Sequence, residues 1–182
     1  MYLQGPRIRL ETFKRDHGPL LETFYKYQDD VGMWRHMSQN LTPEQWSNYP
    51  AVINGEVFII YQNDNDKPLG VVLLIPDHKL NRGFYFGIML VREARNQRIP
   101  TEACYLLLDY AFNRRGYNKA IMEVLEDNKS LCKTMEVTGF IKEGTLLKEA
   151  FVNGHFVNEV RYCMFASHFR KHAKDELGKV AL

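Results

Sequence analysis

Three arginines lie close together in a short polar segment between a strand-like stretch and a helix-like one. They are Arg92, Arg95 and Arg98, and the helix-like stretch begins directly after them at Ile99. A helix N-terminus attracts anions because its first N–H groups have no partner within the helix, and arginine binds phosphate oxygens in bidentate geometry. The spacing therefore predicts a phosphate-binding loop, although the same residues would also suit an ordinary solvated loop.

The segments on either side of this loop predict how it is positioned. Gly83–Val91 is rich in aromatic and β-branched residues, which is typical of a strand. From Ile99 onward the apolar residues recur at helical spacing, with Pro100 suited to the first turn and Gly116 placed to end the helix. Lys119–Leu125 predicts the next strand. A strand, a helix and a strand in this order indicate a parallel crossover pair.

The remaining patterns place antiparallel strands and further helices around this crossover. The predicted strands are Arg7–Phe13, Val57–Gln62, Leu69–Ile75, Thr145–Phe151 and Glu159–Phe165, and the predicted helices are Asp16–Tyr27, Thr42–Tyr49 and Ser130–Val137. We therefore expect an α+β (mixed α/β) fold, with a central mixed sheet of about seven strands flanked by helices and a β-α-β-α-β-β C-terminal half. Residues 1–165 would form one domain, followed by a basic C-terminal helix or tail at 166–182.

Composition narrows the class of protein. The chain has 182 residues, 45% hydrophobic and 25% charged, which fits one globular domain and excludes a disordered chain. A formal net charge of +2 is too small to predict nucleic-acid binding. The longest apolar run, Val71–Ile75, is far too short to cross a membrane, and the N-terminus lacks a signal-peptide pattern. Three widely spaced cysteines suit a reducing compartment, so a cytoplasmic location is expected.

A metal site is not expected from this sequence. His168 and His172 are four residues apart and would share one face of a helix. No third ligand candidate lies near them, and zinc sites in proteins use at least three side chains.

Several short fragments follow one another in a distinctive order. They are Arg7–Glu11, Pro68–Val71, Thr101–Ala103, Tyr110–Phe112, Asn128, Gly139–Phe140, Glu143–Gly144 and Asn153–Phe156. In this order and spacing the chain resembles the GNAT superfamily of N-acetyltransferases, and most closely the branch that includes ribosomal-protein N-terminal acetyltransferases. The likeness covers nearly the whole chain, and its strongest part is Asn128 followed eleven residues on by Gly139–Phe140.

The resemblance implies that acetyl-CoA binds where the fourth and fifth predicted strands, Gly83–Val91 and Lys119–Leu125, splay apart. The implied contacts are Ile88, Met89 and Leu90 for the pantetheine arm, Arg95, Asn96, Gln97, Arg98, Ile99 and Thr101 for the pyrophosphate, and Asn128 nearby. The reaction would be direct acetyl transfer to a primary amine of a small molecule, a lysine or a protein N-terminus. In some relatives the closing hairpin, here Thr145–Phe165, pairs across a homodimer.

Two residues are candidates for catalysis under this resemblance. Relatives often carry a glutamate where this chain has Glu123, which could take the proton of the amine, although a structural ion pair would suit the residue equally. Tyr85 is the second candidate. The tyrosine that protonates the leaving thiolate in many relatives is replaced here by Met135.

The predicted loop departs from the pattern of the family at three positions. The family has Arg-Gly-x-Gly-x-Gly/Ala, whereas this chain places Asn96, Arg98 and Pro100 at the small positions. Glycine lets the backbone approach phosphate closely, and proline has no N–H to donate. Two other hypotheses therefore stay open. One is a catalytically inactive GNAT-fold binding or scaffold module that has lost the CoA loop, and the other is an acyltransferase with a different acyl donor.

Overall fold

A computed structural model describes residues 2–26, 41–78, 82–95 and 97–171, with the backbone alone for residues 23–26. Its strands are β1 (Tyr2–Gln4), β2 (Ile8–Thr12), β3 (Glu56–Gln62), β4 (Pro68–Asp77), β5 (Gly83–Leu90), β6 (Lys119–Leu125), β7 (Ile141–Val152) and β8 (His155–Phe165). Within these described residues, eight strands form one sheet in the order β1-β2-β3-β4-β5-β6-β8-β7. Neighbouring strands run antiparallel except for β5 and β6, which are parallel.

Helices connect and flank the sheet as the hydrophobic periodicity predicts. They are α1 (Gly18–Lys26), α2 (Pro43–Ser47), α3 (Tyr49–Val52), α4 (Ile99–Asp109) and α5 (Lys129–Val137). The crossover from β5 through α4 to the parallel strand β6 is confirmed, and so is the mixed α+β class. A π-helical turn, Tyr110–Arg114, continues α4, and the chain then turns at Gly116, whose φ of +70° lies in the region that favours glycine.

The strand count differs from the prediction of about seven. The additional strand is β1, which has three residues and pairs with β2 at the edge of the sheet. Three residues are too few for an alternating pattern to be visible in sequence. The predicted helix Thr42–Tyr49 divides at Asn48 into α2 and α3, and β7 begins at Ile141, four residues before its predicted start.

Two hydrophobic cores lie on opposite faces of the sheet. The larger core packs α4 and α5 against one face and includes Phe84, Met122 and Met135, all at most 4% exposed. The smaller core lies on the other face, where Trp46 and other residues of α1–α3 cover β3, β4 and Met89 of β5. Because side chains alternate along a strand, each strand residue can be assigned to one face.

The chain end begins as a helix that is joined to the larger core. Residues 166–171 are helical, and the side chains of Ala166 and Phe169 are buried in that core. His172 and the rest of the predicted tail lie outside the described residues, so the division at residue 165 stays a prediction. In the described ranges, no helix is both long and apolar enough to cross a membrane.

Candidate active site

The parallel strands β5 and β6 separate part-way along their length. Their ladder pairs Gly83 with Lys119, Phe84 with Ala120 and Tyr85 with Ile121. Beyond that point β5 continues its pairing with β4 as far as Leu90, and β6 continues its pairing with β8 as far as Leu125. The inner edges of the two strands therefore diverge and form a cleft, along which an extended ligand would bond to β5 like an added strand, with the Leu90 carbonyl oxygen already accepting from Arg95.

The predicted pantetheine contacts Ile88, Met89 and Leu90 all lie on this diverging part of β5. Gly70 of β4 pairs with Leu90, and a Cβ atom at Gly70 would lie 2.1 Å from the carbonyl oxygen of Met89. Only glycine allows so close an approach, which explains why glycine is required in the Pro68–Val71 fragment.

The loop after β5 is tied back to the end of that strand. The guanidinium of Arg95 donates from Nε and Nη2 to the Leu90 carbonyl oxygen, at 3.2 and 3.1 Å. Gln97 donates from Nε2 to the carbonyl oxygen of Glu93 at 2.8 Å. These bonds place the predicted pyrophosphate residues directly beside the mouth of the cleft. Asn96, the first of the three departing positions, lies outside the described residues.

Arg98 begins helix α4 in a left-handed conformation. Its φ is +56°, and its carbonyl oxygen accepts the first helical bond from the N–H of Glu102 at 3.1 Å. Left-handed backbone favours glycine, so this conformation agrees with the glycine that the family pattern has at the position of Arg98. Ile99 and Thr101 follow in the first turn of α4, where N–H groups have no acceptor within the helix, and Pro100 between them has no N–H.

A buried carboxylate that is not among the predicted site residues holds this helix start in place. Glu102 is fully buried, and its Oε1 accepts the backbone N–H groups of Arg7 at 2.9 Å and Ile8 at 3.2 Å. Its Oε2 bonds Nε of Arg7 at 2.9 Å, and Nη1 of Arg7 donates to the carbonyl oxygen of Gln97 at 3.2 Å. The signal was present in sequence, because Arg7 and Glu102 both belong to the fragments that carry the resemblance.

Asn128 lies on the opposite side of the cleft, where β6 ends and α5 begins. Its Oδ1 accepts the N–H of Leu131 at 3.1 Å, which caps α5, and its own N–H donates to the Leu125 carbonyl oxygen at 2.9 Å. This capping is a structural role for Asn128, and a contact with the cofactor stays a prediction.

The residues of α5 offer no obvious acid for a leaving thiolate. Met135, at the position where many relatives have tyrosine, is fully buried in the larger core. Cys132, one turn earlier, donates from Sγ to the Leu125 carbonyl oxygen at 3.9 Å, and burial raises the pKa of Tyr162, which packs in the same core, to about 12. A tyrosine with so high a pKa is a weak proton donor near neutral pH.

Glu123 lies just beyond the point where β5 and β6 separate. Glu123 comes two residues after Ile121, the last residue of β6 that pairs with β5. It therefore lies on the same face of the sheet as Ile121 and Tyr85. The Glu123 side chain is 1% exposed, and its Oε1 accepts from Nε of Arg161 at 2.8 Å and also from Nη2 of the same residue. The structure thus contains the ion pair that the sequence left as an alternative, and roles for Glu123 and Tyr85 in the chemistry stay predictions.

Other polar features lie away from the cleft. A pocket of about 370 Å³ at the opposite end of the sheet is lined by Pro76, Asp77, His78, Arg82, Gly83, Arg115 and Tyr117, and contains none of the predicted site residues. In the part of the chain that the structure describes, no three His, Cys, Asp or Glu side chains are grouped so as to hold a metal ion.

Comparison with known families decides what this fold is. The model of the acetyltransferase (GNAT) domain matches residues 7–141. The chain belongs to this GNAT family. The resemblance stated from sequence is confirmed, and the diverging strands, the helix start and Asn128 all lie within the matched residues.

Individual relatives of this GNAT domain have low sequence identity to the chain. Spermidine N(1)-acetyltransferase of Escherichia coli (strain K12) is 29% identical over 106 residues, which is 58% of this chain and 56% of the relative. The chain thus matches about half the length of that relative. The putative ribosomal N-acetyltransferase YdaF of Bacillus subtilis (strain 168) is 25% identical over 161 residues, covering 82% of this chain and 86% of the relative.

Solved structures share the GNAT fold over nearly the whole chain. Spermidine N-acetyltransferase from Vibrio cholerae, in complex with CoA and spermine, superposes with a TM-score of 0.81 at 20% identity, covering 90% of this chain and 98% of the other. The ribosomal L7/L12 α-N-protein acetyltransferase RimL, in complex with CoA, gives a TM-score of 0.80 at 15% identity, with 92% and 99% coverage. At such low identity these likenesses establish the fold alone.

Proposed function

We propose that this chain is an acetyl-CoA-dependent N-acetyltransferase that moves an acetyl group directly to a primary amine. The observation that carries the proposal is the divergence of β5 and β6 directly beside the N-terminus of α4. The inner edge of β5 at Ile88, Met89 and Leu90 fits the amide groups of a pantetheine arm. The first turn of α4 fits a pyrophosphate, because its N–H groups and helix dipole favour anions.

The pyrophosphate contacts are proposed for Arg98 with the helix start at Ile99 and Thr101, and for Gln97 and Arg95 at the edge of the loop. Pro100 removes one N–H donor, and the loss of a charge-assisted donor costs about 1.5–3 kcal/mol, roughly ten- to a hundredfold in affinity. The exposed Arg98 side chain can replace that donor, because guanidinium groups bind phosphate in bidentate geometry. Asn96 belongs to the same proposed set.

The proposed reaction needs a neutral amine and a polarised thioester carbonyl. Acetyl-CoA supplies the activated acetyl group when it is bound. Glu123 takes the proton of the attacking amine, directly or through a water molecule, because its carboxylate lies just beyond the point where the strands separate. Tyr85, on the same face, is proposed to orient the amine, and Asn128 lies at the opposite side of the cleft.

The acceptor is proposed only as an amine-bearing small molecule, a lysine or a protein N-terminus. Relatives named as spermidine and as ribosomal N-acetyltransferases support an amine without choosing among these classes. The three free cysteines, Cys104, Cys132 and Cys163, support a reducing, cytoplasmic location.

Calorimetry and thermal shift with acetyl-CoA test the proposal, followed by an acetylation assay on a panel of amines. A ligand at a hundred times its dissociation constant stabilises by about 2.7 kcal/mol, which raises the melting temperature by roughly 5–10 °C. Arg98→Ala should weaken acetyl-CoA binding at least tenfold, whereas Arg114→Ala, which removes the same charge far from the cleft, should not. No shift at millimolar acetyl-CoA would contradict the proposal and favour a scaffold module or another acyl donor.

We also propose a homodimer formed through the β7–β8 hairpin. The β7 strand ends the sheet, and the hairpin exposes Leu147, Phe151 and Phe156 by 77%, 64% and 63%. An unpaired edge strand with exposed apolar side chains favours pairing with another chain. A second structure of the spermidine N-acetyltransferase from Vibrio cholerae, which superposes with a TM-score of 0.76, is dodecameric. Sedimentation velocity tests the dimer, and a monomer at micromolar concentration would contradict it.

A further inference from the structure

We propose that Arg161 is a positioning residue for acetyl transfer, which keeps the Glu123 carboxylate ionised and fixed beside the cleft. This inference rests on the proposed function and on Glu123 as the group that takes the proton of the amine.

The two residues form a pair that is buried at one end and accessible at the other. Glu123 and Arg161 are directly opposite each other in the antiparallel ladder of β6 and β8. Both guanidinium donors, Nε and Nη2, bond to the same oxygen, Oε1 of Glu123. The carboxylate side chain is 1% exposed, whereas the guanidinium side chain is 36% exposed. The charge of the carboxylate is therefore compensated from the surface side of the sheet.

The pair lies next to the chemistry that is proposed for the cleft. Met122 and Val124 point into the larger core, so Glu123 lies on the opposite face, on the same side as Tyr85 of β5. Along β6, Glu123 is the first residue on that face beyond the last pairing with β5. Arg161 approaches it from β8, on the side away from the cleft, and thus can orient the carboxylate without occupying the cleft.

Other charged and titratable groups of the described residues lie on this face of β6, β7 and β8. Lys119 of β6 bonds to Glu143 of β7 at 2.6 Å. Burial and the nearby charge of Glu143 raise the pKa of the Cys163 thiol on β8 to about 11, so the thiol is neutral. Glu159, two residues from Arg161 on β8, is a buried carboxyl group on the same face and supplies no positive charge. Arg161 is thus a cation that bonds Glu123 through two donors.

The physical consequence concerns the charge of Glu123. A carboxylate buried without a cation is neutralised by a proton, because the free energy of desolvating the charge exceeds the stabilisation that the other contacts in the protein provide. The two bonds from Arg161 favour the charged form of the Glu123 carboxyl group, which can accept a proton. Loss of Arg161 removes that compensation and therefore favours the neutral acid, which cannot accept a proton.

The test compares the wild type with Arg161→Gln, Arg161→Lys and a control, Lys142→Gln, which removes an exposed cation on β7. In Arg161→Gln the acid limb of the kcat/KM profile should move up by about one pH unit or more, with a loss of at least about tenfold at pH 6 and less than about threefold at pH 9. Arg161→Lys should restore most of the activity at pH 6, and Lys142→Gln should match the wild type. An equal loss at every pH, as a purely structural role would give, overturns the inference.

A second readout does not need an acceptor substrate. In protein labelled with 13C at the glutamate carboxyl carbons, the resonance absent from Glu123→Gln identifies Glu123. That resonance should stay that of a carboxylate from pH 8 down to about pH 5 in the wild type and titrate above pH 6 in Arg161→Gln. An unchanged titration overturns the inference. Acetyl-CoA binding, measured on the same samples, separates this failure from failure of the proposed function, which would abolish binding in the wild type.

Discussion

The two faces of the sheet are built differently. On the face covered by α4 and α5, one continuous core extends from Leu3 in β1 to Phe169 near the chain end. On the other face the described core covers β3 and β4, and the strands beyond them carry the ion pairs Glu123–Arg161 and Lys119–Glu143. The comparison shows a division of roles. One face supplies the apolar burial that stabilises the fold, which leaves the other free to hold charged groups beside the cleft.

The largest effect is expected at Glu102, where the covered face meets the helix start of the cleft. Without the Glu102 carboxylate two backbone N–H groups lose their acceptor, at about 1–3 kcal/mol each or about 2–6 kcal/mol together, and Arg7, whose side chain is 39% exposed, loses its ion-pair partner. Glu102→Ala should therefore lower the free energy of unfolding by about that amount in urea titrations. Glu102→Gln keeps an acceptor oxygen and should cost less.

The matched control is Glu93→Ala, an exposed carboxylate in the preceding loop, which should change the stability by at most about 0.5 kcal/mol. Equal effects of Glu93→Ala and Glu102→Ala would mean that the bonds to Arg7 and Ile8 do not hold the helix start.

A second prediction compares a buried and an exposed phenylalanine. Phe84, fully buried on the covered face, packs against Phe112 and Tyr117. Phe84→Ala should destabilise by about 3–5 kcal/mol, because it removes apolar contacts and leaves a cavity. Phe156 is 63% exposed in the β7–β8 hairpin, so Phe156→Ala should lower the free energy of unfolding by at most about 0.5 kcal/mol in dilute protein. Unfolding measured at two protein concentrations checks both values, and a cost for Phe156→Ala that grows with concentration would show that the hairpin is buried in a dimer.

Much of the covered face could be predicted from local pattern. The strand Lys119–Leu125 has the predicted bounds, and the amphipathic spacing after Ile99 locates α4, because burial on one side imposes a periodicity. The pattern could not show β1, which is too short, or the break at Asn48, where two short helices replace one. The strand β1 and the break at Asn48 depend on the contacts of single residues rather than on a periodic spacing of apolar residues.

The loop between β5 and α4 was predictable in place, whereas the contacts around it were not. The sequence located this loop, and glycine in the family pattern at the position of Arg98 agrees with its positive φ. The partners of Glu102 and Glu123 could not be named, because Arg7 is 95 residues from Glu102 and Arg161 is 38 residues from Glu123. Only the strand register brings such residues together.

The third prediction concerns the pH dependence of stability, which we expect to come in part from His17 on the other face. Its Nδ1 accepts the N–H of Lys14 at 3.0 Å, so the proton is on Nε2, which donates to the hydroxyl of Tyr61 at 3.1 Å. Burial lowers the pKa of His17 below its ordinary value, against an opposing effect of Asp16. The unfolded chain then binds a proton more readily than the folded one, so stability should decrease as the pH falls through about 6.5.

Urea unfolding at pH 7.5 and 5.5 checks this sign. Protonation removes the acceptor that caps the turn before α1, and loss of such a cap costs about 0.5–2 kcal/mol. His17→Gln should reduce the difference between the two pH values, whereas His155→Gln, in the exposed hairpin turn, should leave it as in the wild type. A larger difference in His17→Gln would mean that the imidazole is charged in the folded state.

The smallest effect is expected at Arg98, where the backbone and the side chain can be tested separately. A non-glycine residue in left-handed conformation costs about 1 kcal/mol, so Arg98→Gly should be more stable than Arg98→Ala by about that amount. Both variants lose the guanidinium and should therefore bind acetyl-CoA with the same, weakened affinity. If Arg98→Gly instead binds more tightly than the wild type, close approach of the backbone matters more than the added charge, and the arginine is an obstacle in the loop rather than a replacement for the lost donor.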